Sequence, residues 1–114
     1  KIDVQFTRAK GFDTFCPIGA TGGDAQTDWR ALEVVCRVNG VQRQRGTAAQ
    51  MVFGIPALVA YITRIMTLEP GDVIATGTPE GVGPLVDGDT VEVTIEGIGT
   101  VLNPVRTSME AGAA

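Results

Sequence analysis

Three stretches of the chain carry a readable pattern of apolar and polar positions. Residues 31–38 read ALEVVCRV, and the Asn39-Gly40 pair that follows is a strong hairpin signal, because a tight two-residue turn needs positive φ at both central positions. The pattern predicts a strand over 31–38 that returns over 41–44. A second hairpin is predicted where residues 90–96 read TVEVTIE with a period of two, turn at Gly97-Ile98-Gly99 and return over 100–105. Residues 55–66 read IPALVAYITRIM, with Ile55, Leu58, Val59, Ile62 and Ile65 at helical spacing and Pro56 suited to a first turn. That predicts the one clear helix, with Leu58, Ile62 and Ile65 in the core. Met51, Val52 and Phe53 read as a strand feeding in, and Thr67 to Gly71 as a turn leading out to a further buried strand over 72–76. Residues 1–23 have neither period and are expected to be loop, anchored by Phe6, Phe12 and Phe15, while residues 108–114 are expected to fray. The fold class expected is mainly β with one packed helix, α+β, without the strand-helix alternation of a parallel sheet.

Composition narrows the partners. The chain has 114 residues and is 44% hydrophobic, enough for one domain, or a large part of one, that buries roughly two-thirds of its unfolded surface. Net charge is -4 and the basic residues are scattered apart from Arg43-Gln44-Arg45, read as a solvated or interface face, so no nucleic acid is expected as a partner. No apolar run is long enough to span a membrane and no signal peptide is recognisable, which points to the cytoplasm and to no membrane partner. Cys16 and Cys36 stand far apart and the sequence has no histidine, which argues against zinc and leaves free, buried thiols as the expectation.

Candidate chemistry lies in residues 72–85, DVIATGTPEGVGPL, where an apolar segment runs out into a glycine-rich loop. Part of that glycine content suits an ordinary Pro79-Glu80-Gly81 turn. The spacing of Gly77, Gly81 and Gly83 fits neither a phosphate-binding GxxxxGK[ST] loop nor a dinucleotide GxGxxG loop. What remains is a strand end whose exposed amides and Thr76 and Thr78 hydroxyls can bind a small carboxylate or a developing oxyanion. Asp13 reads as an acceptor of loop amide bonds, and Glu80 as a solvated turn residue.

Residues 8–19 (RAKGFDTFCPIG), 38–47 (VNGVQRQRGT), 66–85 (MTLEPGDVIATGTPEGVGPL) and 95–105 (IEGIGTVLNPV) together resemble the C-terminal half of the fumarylacetoacetate hydrolase family. The bacterial members it is most similar to are named 2-hydroxyhepta-2,4-diene-1,7-dioate isomerase or acylpyruvate hydrolase. The resemblance implies that residues 1–107 are the C-terminal portion of a catalytic domain with a mixed β-roll fold, usually a homodimer, and that 108–114 are a flexible tail. It further implies a small 2-oxo or 2-hydroxy-dienoic acid as substrate, and C–C hydrolysis, isomerisation or decarboxylation through a metal-stabilised enolate. The cofactor implied is Mg2+ or Mn2+, with Ca2+ as an alternative, since hard oxygen ligands suit these ions. By the same resemblance Lys10 lies beside the metal site, where neighbouring carboxylates favour its protonated form, and Thr14 helps to close that site. Thr78, with Gly77 allowing close approach, meets the substrate's oxygens. The family's metal carboxylates precede the lysine motif, so no metal ligand is carried over: Asp3, Asp13, Glu69 and Glu80 match none of those positions.

Two functions from different classes remain at this point. The chain is either the substrate-facing half of a metal-dependent enzyme or a catalytically inactive binding or dimerisation module.

Overall fold

The computed structural model describes residues 4–19 and 22–108. Strands β1 (Glu33–Val38), β2 (Val41–Thr47), β3 (Thr90–Ile95) and β4 (Gly99–Pro104) form one antiparallel sheet in the order β2-β1-β3-β4. Helix α2 (Ile55–Thr63) lies in the long connection from β2 to β3, and a single helical turn, α1 (Phe6–Lys10), precedes them all. This is the expected α+β class.

Both hairpins form where the pattern placed them. Asn39 (φ 52°) and Gly40 (φ 80°) adopt the left-handed conformations of a tight turn. The return strand runs on to Thr47, past the expected end at Gln44, because Gly46 and Thr47 still find partners in Val34 and Glu33. Cross-strand register sorts the side chains into two faces. Val34, Cys36 and Val38 oppose Ile95, Val93 and Val91 on one face, while Arg37 opposes Glu92 on the other. There the Arg37 Nη1 to Glu92 Oε1 pair at 3.2 Å and the Thr94–Thr100 hydroxyl pair at 2.9 Å tie neighbouring strands. The apolar face holds Val38, at 5% exposure the buried hydrophobic residue among those described.

A β-bulge in β2 alters this parity. Cys36 pairs with Gln44 and Arg37 with Gln42, so Arg43 has no opposite number. Gln42 therefore shares the face of Arg37, whereas Gln44 and Gly46 share the apolar face of Cys36 and Val34. The expectation that Arg43-Gln44-Arg45 forms a solvated or interface face holds for the two exposed arginines and is corrected for Gln44, which is half-buried between them.

Five other expectations change. Residues 72–76 form no strand: the chain meets β2 through the later residues Thr78 and Pro79 instead of joining its ladder. Residues 51–53 are likewise not a strand, because a 3₁₀ turn, Ala48–Gln50, closes β2 through a capping box between Thr47 and Gln50. Residues 1–23 include α1, closed by the bonds from Ala9 N to Gln5 O and from Gly11 N to Thr7 O. Helix α2 stops at Thr63, not Met66. The Thr63 hydroxyl bonds the Val59 and Ala60 carbonyls, and Ile62 O takes the amides of both Ile65 and Met66, tightening the chain into a turn. Leu58 and Ile62 are half-buried but Ile65 is 64% exposed, outside the expected core stripe. Asp3 and the tail beyond Ser108 lie outside the described residues.

Candidate functional site

The glycine-rich loop is held on β2 by three independent contacts. Gly81, at φ 104°, brings its α-carbon so close to the Arg43 carbonyl oxygen that a Cβ there would overlap it. Two residues along β2 from Gln44, Gly46 lies under Pro79: a Cβ on Gly46 would stand 3.0 Å from the proline's own. Between these, Gln44 Nε2 donates to the Thr78 hydroxyl at 2.7 Å and to the Pro79 carbonyl at 2.8 Å. The bulge makes this possible, since it turns Gln44 onto the loop's side of the sheet. Gly77, at φ 103°, turns the backbone between Thr76 and Thr78 in a conformation that a side chain would strain.

The loop forms one lip of a cavity of about 610 Å³, a volume within the range of small-molecule sites. Its floor is the cross-strand row Gly46, Val34 and Ile95. Ile55 and Leu58 of α2 form a second wall, and Thr76, Gly77, Thr78 and Pro79 face it. The neutral hydroxyls and backbone amides at the loop can donate to a ligand oxygen. Glu33 is the one charged residue among those lining the cavity, and Arg45 Nε pairs with it at 3.0 Å.

Of the residues singled out in the sequence, Thr76, Gly77 and Thr78 meet in this cavity, whereas Lys10 and Thr14 do not line it. Lys10 ends α1 with its ammonium 5.2 Å from the centre of the Phe6 ring. Thr14 takes φ 68° in the turn that follows, and among the described residues Asp13 accepts none of the loop amide bonds expected of it. The chain then crosses the far edge of the sheet, where Gly19 lies against Val101 of β4 and Gly22 against Ile98 in the β3–β4 turn. Thus the segment after Lys10 is anchored on one edge strand and the glycine loop on the other. Among the described residues no group of three or more Asp, Glu, His or Cys side chains is placed to hold a metal ion, so a divalent ion's ligand set is not formed by them. Cys16 and Cys36 are free, but neither is buried as expected, since Cys16 is exposed and Cys36 half-buried; no helix among the described residues is long and apolar enough to cross a membrane.

At the other end of the sheet Asp89 ties the two loops beside β1 and β3 together. Its carboxylate accepts from Val86 N at 2.9 Å and from Asn39 Nδ2 at 2.8 Å, and Asn39 Oδ1 accepts from Thr90 N at 2.9 Å. The Val86 amide, then the Asn39 amide, hold the Asp89 carboxyl below its ordinary value of 3.8, with Arg43 adding a smaller electrostatic contribution.

Sequence reasoning missed Gln44. It stands in a strand that reads as uniformly polar, and only the bulge, which leaves no mark in the period, turns it toward Thr78.

Comparison with known proteins adds the following. The profile of the fumarylacetoacetate (FAA) hydrolase C-terminal domain matches residues 1–106. The chain is 47% identical over 98 residues to a mitochondrial oxaloacetate decarboxylase of Dictyostelium discoideum, covering 85% of this chain and 45% of that protein. The crystal structure of 5-carboxymethyl-2-hydroxymuconate delta-isomerase from Mycobacterium smegmatis superposes with a TM-score of 0.86 at 51% identity, over 93% of this chain and 42% of that one. Maleylpyruvate hydrolase from Sphingobium sp. SYK-6, solved with manganese(II) and pyruvate, superposes with a TM-score of 0.78 at 44% identity, over 83% of this chain and 37% of that one. In each case the chain spans less than half of the relative's length.

Proposed function

The chain belongs to the fumarylacetoacetate hydrolase family, and on that premise we propose that it forms the substrate-facing part of an enzyme acting on a small 2-oxo or 2-hydroxy-dienoic acid. The reaction is C–C hydrolysis, isomerisation or decarboxylation, each of which passes through an enolate. The observation that carries this is the cavity bordered by Thr76, Gly77 and Thr78, apolar on its floor and supplied with neutral donors at one lip. Such a site suits a short organic acid: the apolar row accepts its carbon chain, and the lip meets its oxygens.

The chemistry of this chain's own residues is stabilisation of charge on oxygen. A Thr78 hydroxyl already placed before reaction strengthens its bond as an oxygen of the substrate gains negative charge, which lowers the barrier without any reorganisation. The backbone at 76–78, kept free of a side chain at Gly77, allows the substrate oxygen to come close. Lys10 is proposed to supply positive charge at the metal site, supported by Thr14. A divalent Mg2+, Mn2+ or Ca2+ ion, with its carboxylate ligands upstream of this sequence, would provide the main counter-charge. The family resemblance further supports a homodimer.

The test is turnover of oxaloacetate and of acylpyruvates by the whole protein, with the divalent ion removed by chelation and then restored. Turnover that chelation abolishes and Mg2+ or Mn2+ restores is expected. No turnover of either substrate class with any of the three ions would contradict the proposal.

A further inference from the structure

The Pro79 carbonyl oxygen can only accept, so the Gln44 side-chain atom 2.8 Å from it is the amide nitrogen. Its second hydrogen points to the Thr78 hydroxyl oxygen, 2.7 Å away. An amide nitrogen does not accept, which makes Thr78 the acceptor in this pair. The Thr78 hydrogen is thereby left to be donated elsewhere, and no acceptor meets it among the described residues.

We infer that Gln44 is a positioning residue that locks the Thr78 hydroxyl as a donor into the cavity, and so selects a ligand oxygen that accepts, such as a carboxylate or an enolate. The inference rests on the function proposed above and adds to it the residue that sets the hydroxyl's direction. Three features make the arrangement specific. The β-bulge at Arg43 puts Gln44 on the loop's face. Gly81, against the Arg43 carbonyl, keeps the loop within reach of it. Both hydrogens of the Gln44 amide are used, so the side chain cannot rotate to offer its oxygen to Thr78 without leaving the Pro79 carbonyl unpaired. A hydroxyl oriented in advance is worth more to a developing oxyanion than one free to rotate.

The experiment is a double-mutant cycle in the whole protein, read as kcat and KM for oxaloacetate or an acylpyruvate. Gln44→Met keeps the length of the side chain and removes the donor. In the wild-type background it is expected to lower kcat/KM about tenfold, mostly through kcat. With Thr78→Val already in place, it should change kcat/KM by less than about twofold, because no hydroxyl remains to be directed. With Thr78→Ser, which retains a hydroxyl, the wild-type loss should return. Equal losses in the wild-type and Thr78→Val backgrounds would overturn the inference, since Gln44 would then be acting only on the shape of the loop. Gln44→Glu is a second variant of the same shape: its carboxylate accepts the Thr78 hydrogen, and a loss greater than that of Gln44→Met is expected. A loss no greater would equally overturn it. Wild-type turnover by Thr78→Val alone is a different outcome: it would remove the proposed function and this inference with it.

Discussion

The α-carbon of Gly81 rests on the carbonyl oxygen of Arg43, the residue that the bulge in β2 leaves without a cross-strand partner. One irregularity in the sheet thus receives the return of the glycine loop, and Thr78 and Pro79 come within reach of Gln44 as a result. Gly81→Ala would meet both a positive φ and a carbonyl in the way. It should cost about 2–3 kcal/mol by urea denaturation, against about 1 kcal/mol for Gly88→Ala, where φ is 89° but the space is open. Equal costs at the two positions would show that the loop does not press on β2.

How much of this was legible in the sequence depended on whether the controlling interaction was local. The turn at Asn39-Gly40 declares itself because two adjacent residues carry the conformational preference, and α2 declares itself through Pro56 and the spacing of its apolar residues. The run Val73-Ile74-Ala75 has the composition of a buried strand, yet no strand pairs with it among the described residues, and Val73 is 67% exposed. Pairing is a property of the partner, which composition cannot supply. Similarly, residues 42–47 of β2 carry no large apolar side chain to mark a face, and the bulge that sends Gln42 and Gln44 to opposite faces is set by the register with β1. Thr78 and Gly77 were readable as a site from the glycine-rich loop itself. Lys10 and Thr14 were reachable only through resemblance to a family, and neither touches the cavity that Thr78 borders.

The Asp89 carboxylate predicts a pH dependence. Its folded-state pKa lies below the ordinary value of 3.8, so the stability it contributes is fully present above that value. It is lost as pH falls from about 3.8 through the lower, folded-state pKa. Chemical denaturation of wild type and Asp89→Asn should show the wild type more stable at neutral pH, and the gap should close on acidification through that window. A gap that stays constant would mean that charge on Asp89 is not what the Val86 and Asn39 bonds stabilise.

Val38 marks the centre of the apolar face. At 5% exposure, its truncation in Val38→Ala removes packed methyl groups and should cost about 2 kcal/mol. Val41, its partner across the turn, is 61% exposed, and Val41→Ala should stay within about 0.5 kcal/mol. Thermal or urea unfolding of the two variants distinguishes them, and similar losses would contradict the placing of the packed centre of this face at Val38, away from its turn end.

The central claim is that the Thr78 hydroxyl meets an oxygen of a small acid. The most direct measurement is kcat/KM of Thr78→Val and Thr78→Ser beside wild type, on oxaloacetate or an acylpyruvate, with melting temperatures recorded for all three. A loss of about tenfold or more for valine, with serine within a few-fold of wild type and folding nearly intact throughout, is the expected result. A valine variant that turns over substrate at the wild-type rate would contradict it.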